Sequence, residues 1–289
     1  MSRRLPGIRK NFRSKPAGGN EMIDLHCHIL PGLDDGARDM DHAIAMARIS
    51  LEEGVTSIVA TPHLFKGGFE YDNLGVIEAG RRDLVAALET AGVPVEIRGG
   101  AEVYISHNLA DEIRRHREIL TVAGSSYLLL EFPSDHVFSG VKDLLFELMS
   151  ERVIPIIAHP ERNSAFAQSP GLLFELVEMG ALAQVNGGSL LGQNGSQAGE
   201  SARLFLESGL VHFIASDGHN TRTMAPRLAE AVRKAAEILG EEPAQALVEG
   251  NPRAVLGDED IPYRPDPVNP QKKRRKLVMG LPGLFKSKK

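Results

Sequence analysis

Two histidines separated by one residue, in Ile23-Asp24-Leu25-His26-Cys27-His28, are the first residues in the chain whose types and spacing could do chemistry. In a strand, two-residue alternation puts both imidazoles on one face and Cys27 on the other. Converging imidazoles are a start on a transition-metal site. One such pair is a weak signal, since a lone histidine is more often a core or surface residue.

Later segments strengthen it. Short apolar runs end in Thr61-Pro62-His63, in Gly100-Ala101-Glu102, in Leu130-Glu131-Phe132, in Ala158-His159-Pro160-Glu161-Arg162, and in Ser216-Asp217-Gly218-His219; Asp34-Asp35 follow the first run. Capping of a following helix would account for single acids. It gives no reason for histidine to recur where strands end. The nine candidate ligands are His26, His28, Asp35, His63, Glu102, Glu131, His159, Asp217 and His219, more than one ion with open positions requires. Two or three ions are implied. Bridging carboxylates would hold neighbouring ions roughly 3.5–4 Å apart, the spacing that clamps attacking and leaving oxygens in phosphoryl transfer. Imidazole and carboxylate without thiolate suit manganese, iron or zinc rather than calcium.

Such a site needs elements that bring distant residues to one rim. Candidate strands at 22–26, 56–61, 94–100, 127–131, 153–158, 181–186 and 211–216 alternate with helical patterns at 38–53, 74–91, 138–151, 170–179, 199–208, 226–239 and 243–249. Repeated βα units predict a parallel α/β barrel, whose strand C-termini share one face. At 289 residues and 42% hydrophobic content, the chain can build this as one domain. The boundaries read as a disordered basic extension over 1–21, a barrel domain over 22–261 and a proline-containing basic tail over 262–289. Met22 is an alternative start.

Charge is unevenly spread. Six Lys/Arg lie in 1–20 and eight in 272–289, neither with an acid, so a net charge of −5 leaves −5 − 14 = −19 for 21–271. An acidic body repels nucleic acid and suits a site that collects cations. Without a signal-like or membrane-spanning run, and with Cys27 as the sole cysteine, the expected location is the cytoplasm. The tail from Lys272 to Lys276, followed by scattered apolar residues, reads either as a solubilising end or as a peripheral contact with an anionic membrane.

Taken together, the opening HxH, the later H, E and H, and the closing DxH resemble the polymerase and histidinol phosphatase (PHP) superfamily. The series DLHCHILPGLDDG, TPH, GAEVY, LLLEFP, AHPER, QVN and ASDGHN, over about residues 22–257, is similar to its bacterial capsule-type tyrosine phosphatases. That resemblance implies a distorted seven-stranded β/α (TIM-like) barrel holding three ions, usually manganese. It would give His26, His28, Glu102, Glu131, His159 and Asp217 to a close pair of ions, and Asp35, His63 and His219 to a third, with Asp34 beside them.

Arg162 matches an arginine that the family pattern sets beside the phosphate. Relatives also carry an arginine followed by two prolines after DxHN; here the segment reads Thr221-Arg222-Thr223-Met224-Ala225-Pro226-Arg227, so Arg222 or Arg227 would have to serve. The mechanism expected is in-line attack by a metal-bound hydroxide, with Arg162 stabilising phosphoryl charge and the ion at Asp35, His63 and His219 stabilising the departing phenolate. A cysteine phosphatase loop is excluded, because Cys-x5-Arg would need arginine where the chain has Leu33. The resemblance implies a phosphotyrosine protein as substrate, an autophosphorylating tyrosine kinase of polysaccharide export. The competing readings are another phosphoesterase of the superfamily, acting on histidinol phosphate or nucleic acid, and a non-catalytic metal-loaded module.

Overall fold

Nine short strands, all paired in parallel, carry the site in a computed structural model that describes residues 21–69 and 74–271. They are β1 (Met22–Cys27), β2 (Val55–Ala60), β3 (His63–Leu64), β4 (Glu96–Gly99), β5 (Glu102–Tyr104), β6 (Tyr127–Glu131), β7 (Ile154–Ala158), β8 (Leu182–Asn186) and β9 (Phe213–Ala215). Parallel neighbours require crossovers. Eleven α-helices are described: α1 (Met40–Glu52), α2 (Gly75–Thr90), α3 (Leu109–Leu120), α4 (Val141–Ser150), α5 (Ser164–Gln168), α6 (Gly171–Met179), α7 (Gly187–Leu190), α8 (Ser196–Glu207), α9 (Ala229–Leu239), α10 (Glu241–Ala246) and α11 (Gly250–Leu256). Among the described residues, no helix is long and apolar enough to cross a membrane.

The strands form two sheets, β1-β2-β4 and β3-β5-β6-β7-β8-β9, rather than the single seven-stranded barrel expected. Each expected strand overlaps an observed one. The difference arises where the second and third of them break. Pro62 has no amide hydrogen to donate to a ladder, and the chain resumes beyond it as β3. Between β4 and β5, a Cβ on Gly100 would come to 3.0 Å from Val59 Cγ1, so a larger residue there would press on β2. β1 meets the segment after β9 through a parallel bridge, Cys27 to Gly218, with Asp217 N donating to the His26 carbonyl at 2.8 Å and His28 N to the Gly218 carbonyl at 2.9 Å.

Alternation then sorts each strand into two faces. Leu128 and Leu130 of β6, Ile157 of β7 and Val185 of β8 join the large core beneath the helices. Ile23, Leu25, Val59, Tyr127, Leu129, Ile156, Leu182 and Phe213 pack into a smaller cluster on the other face. Two residues beyond Leu129 on that second face comes Glu131, and beyond Leu182 come Gln184 and then Asn186. An apolar floor thus gives way to polar groups at the C-terminal ends. The basic stretches at 1–20 and 272–289, including the tail considered for membrane contact, lie outside the described residues.

Candidate metal centre

β1 delivers the two histidines as alternation requires: His26 and His28 are fully buried with their Nε2 atoms 3.1 Å apart, while Cys27 faces the large core. Their outer nitrogens are fixed. His26 Nδ1 lies 2.9 Å from Gln184 Oε1, and His28 Nδ1 lies 2.7 Å from Asp34 Oδ2. Each ring therefore turns Nε2 inward, the arrangement by which an outer partner orients a metal-ligating imidazole.

Glu102, at the start of β5, lies at the middle of the set. Its Oε2 is 3.4 Å from His26 Nε2, 3.3 Å from His28 Nε2 and 2.8 Å from His63 Nδ1. Its Oε1 meets His159 Nε2 at 2.7 Å. Asp217 Oδ1 lies 3.3 Å and 3.4 Å from the Nε2 atoms of His26 and His28, and 3.5 Å from His219 Nδ1. Asp35 Oδ1 lies 3.5 Å from Nε2 of both His63 and His219. Glu131 Oε2 is 3.6 Å from His63 Nδ1. All nine expected residues are thus in one neighbourhood, with three donor groups: His28, Asp35, His63 and His219; His26, His28 and Glu102; His63, Glu102 and Glu131.

The donor chemistry fits divalent cations. His63 Nδ1, Glu102 Oε2 and Glu131 Oε2 are buried and make no hydrogen bond. Buried polar atoms without partners are costly. Three of them converging among imidazoles fit edges of a coordination shell, since each can give a lone pair to one cation.

Protonation follows from the same crowding. Burial lowers the His26 pKa, but Glu102 and Asp217 outweigh it and raise the imidazole to about 9. Burial likewise opposes charge on His28, yet bonds to Asp217, Asp34 and Glu102 push its pKa well above the usual histidine range. Burial works to raise Glu102 and Asp217, and neighbouring histidines hold both below the ordinary carboxylate range. Asp35 is lowered chiefly by its contact with His219.

Two of the nine candidate residues adopt left-handed backbone conformations that L-residues rarely take, His159 at φ 30° and Asp217 at φ 53°. Around Asp217 the turn is clamped from below. Buried Asp24 accepts from Ser216 N at 2.9 Å and Ser216 Oγ at 2.5 Å, tying the segment after β9 to β1. Asn186 Nδ2 donates to Asp217 Oδ2 at 2.6 Å. Glu161 buries beneath β8, accepting from Asn186 N at 3.0 Å and Ser189 Oγ at 2.7 Å.

The arginines divide. Arg162, on the turn after β7, donates from one guanidinium nitrogen to Asp217 Oδ2 at 2.6 Å and lines a cavity of about 300 Å³ beside Glu131 and His159. Arg222 and Arg227 line a different cavity, of about 350 Å³, and Arg227 pairs with Glu53 at 2.7 Å. Sequence reasoning did not single out Lys66, Gln184 or Asn186. Lys66 Nζ lies 2.7 Å from Glu131 Oε1 and 3.4 Å from His63 Nε2, in Arg162's cavity. Alternation from Leu182 was a usable signal for Gln184 and Asn186. Lys66 had only its spacing of three residues after His63.

Parallel sheets ending in a buried cluster of imidazoles and carboxylates define an α/β protein with a candidate polynuclear metal centre. Residues 22–257 match the family described as "Capsular polysaccharide synthesis, CpsB/CapC", and the chain belongs to that family. It is 38% identical to the tyrosine-protein phosphatase YwqE of Bacillus subtilis, over 89% of this chain and 98% of that one. It is 32% identical to the tyrosine-protein phosphatase CpsB of Streptococcus pneumoniae, over 83% and 100% of the two chains. Among solved structures, one from work on YwqE and CpsB as metal-dependent tyrosine phosphatases superposes with a TM-score of 0.80 at 35% identity, covering 86% of this chain and 99% of that one.

Proposed function

We propose that the protein is a metal-dependent protein-tyrosine phosphatase, acting in the cytoplasm on an autophosphorylating tyrosine kinase of capsule or exopolysaccharide synthesis. The observation that carries this reading is the convergence of His63 Nδ1, Glu102 Oε2 and Glu131 Oε2, buried against one another without a hydrogen bond, beside a cavity lined by Arg162. Relatives named as tyrosine phosphatases, aligned over most of both chains, supply the substrate class.

We assign His26, His28, Glu102, Glu131, His159 and Asp217 to two ions and Asp35, His63 and His219 to a third, manganese being the preferred metal and iron or zinc the alternatives. The domain runs over 22–261, and we read its two sheets, joined at Cys27 and Gly218, as a distorted seven-stranded barrel. Bound divalent ions supply Lewis acidity to the phosphoryl oxygens and lower the pKa of water. The protein's own groups do the rest. Gln184 and Asp34 hold the His26 and His28 rings with Nε2 inward. Arg162 presents a planar guanidinium that can meet two phosphate oxygens at once. Tyr104 and Phe132 line the same cavity and offer walls for an aryl leaving group.

Rates on a phosphotyrosyl peptide, histidinol phosphate and a 3′-phosphorylated oligonucleotide test the assignment. The phosphotyrosyl peptide should be turned over fastest; preference for either other substrate would replace this reading with the corresponding phosphoesterase.

A further inference from the structure

Each of two ligand carboxylates divides its oxygens in the same way. Asp217 turns Oδ1 towards His26 and His28, at 3.3 and 3.4 Å, and its Oδ2 accepts from Arg162 at 2.6 Å as well as from Asn186 Nδ2 at 2.6 Å. Glu131 turns Oε2 towards His63 at 3.6 Å and gives Oε1 to Lys66 at 2.7 Å. The inner oxygen faces imidazoles, and the outer one faces a cation. Both cations line the one cavity of about 300 Å³.

We propose that Lys66 is the second phosphate-binding cation, sharing with Arg162 the non-bridging oxygens of the phosphoryl group. The proposal rests on the phosphatase reading above. Arg222 and Arg227 line another cavity, and Arg227 is already paired with Glu53. Lys66 has a side chain 36% exposed and lines the cavity. An ammonium has three donors, and its contact with Glu131 Oε1 leaves Oε2 unpartnered among the metal donors. Holding a phosphate and leaving Glu131 able to bind a metal are therefore compatible.

The backbone around Lys66 is built to hold it there. Phe65 adopts φ 61°, a left-handed conformation, reversing the chain directly after β3. Phe65 N donates to the Phe69 carbonyl at 3.2 Å and Phe69 N to the Lys66 carbonyl at 2.9 Å, closing the turn. The Phe69 ring then stacks on His63 with centroids 5.4 Å apart. Lys66 is thereby anchored to a histidine of the donor set rather than left on a free loop.

The test is calorimetric binding of phenylphosphonate, which cannot be hydrolysed, to Mn²⁺-loaded wild type, Lys66→Gln and Lys66→Arg, with bound metal measured in each. Binding to Lys66→Gln should weaken on the order of tenfold, as for loss of one charge-assisted contact, with metal content unchanged and with Lys66→Arg recovering most of the loss. Unchanged binding to Lys66→Gln would overturn the proposal while leaving the phosphatase reading intact. So would weaker binding accompanied by metal loss, since Lys66 would then act only by holding Glu131. Absence of phenylphosphonate binding to wild type would overturn both.

Discussion

His26 and His28 face each other through Nε2 atoms 3.1 Å apart, both rings fully buried and both outer nitrogens occupied by Gln184 and Asp34. Two inward lone pairs at that distance repel, so a proton or a metal ion has to lie against them. The carboxylates of Glu102 and Asp217 favour protons there, raising His26 to about 9 and His28 well above its ordinary value. A metal ion binds the deprotonated rings and must displace those protons. Metal affinity should therefore rise with pH as these two rings lose their protons, through about 9 for His26. Calorimetry in buffers of different ionisation enthalpy should detect protons released on Mn²⁺ binding at pH 7.5. Binding without proton release would contradict this electrostatic account.

Glu102 touches four histidines, through Oε2 for His26, His28 and His63 and through Oε1 for His159. Glu102→Gln removes the charge that relates the donor groups and puts an amide donor where a lone pair is needed. We expect loss of at least one bound ion and a fall in phosphotyrosine turnover of roughly a hundredfold or more, by analogy with loss of positioned metal ligation. Full metal content and turnover in this variant would show that Glu102 is not a ligand.

Gln184 was legible in the sequence only as part of the QVN segment, without a role of its own, yet it sets which way His26 points. Gln184→Ala should lower metal affinity by about 10–100-fold, the usual range for an outer-shell partner, while Gln184→Glu should retain more of it. Elemental analysis after dialysis against a series of free-metal concentrations measures both. Equal affinities in wild type and Gln184→Ala would remove Gln184 from the site.

His212 is buried and uncharged for a separate reason. Burial depresses its pKa from 6.5 to about 3, its Nδ1 accepts from Ala183 N at 3.2 Å, and its Nε2 has no partner. Below pH 6.5 the unfolded chain takes up a proton at this residue and the folded one does not, so its contribution to stability is full above pH 6.5 and declines towards pH 3. Between pH 6.5 and 5 the decline amounts to about 2 kcal/mol. Asparagine can keep the acceptor for Ala183 N without a titrating ring. His212→Asn should show a correspondingly shallower loss of denaturant stability over that interval; parallel curves would refute the assignment.

What could be read before folding was short-range. Alternation placed His26 against His28 and turned Cys27 away because a strand's period is two residues. Acids and histidines after apolar runs marked Glu102, Glu131, His159 and Asp217 because parallel strands end on one rim. The division into two sheets was not legible: the third strand was expected to run through Gly100, and whether pairing resumes beyond Pro62 and Gly100 depends on neighbours far away in sequence. The same holds for the cations. Arg227 is engaged by Glu53, 174 positions away, and Lys66 finds Glu131 across 65 residues through a turn that requires a left-handed Phe65.

The central claim is that this cluster of imidazoles and carboxylates hydrolyses phosphotyrosine through bound divalent metal. The most direct measurement is phosphate release from a phosphotyrosyl peptide by protein stripped with chelator and then titrated with Mn²⁺, with bound metal counted at each step. Activity should vanish with the metal and return in proportion to the ions rebound, and His159→Ala should not recover it. Undiminished turnover by protein free of measurable metal would contradict the account.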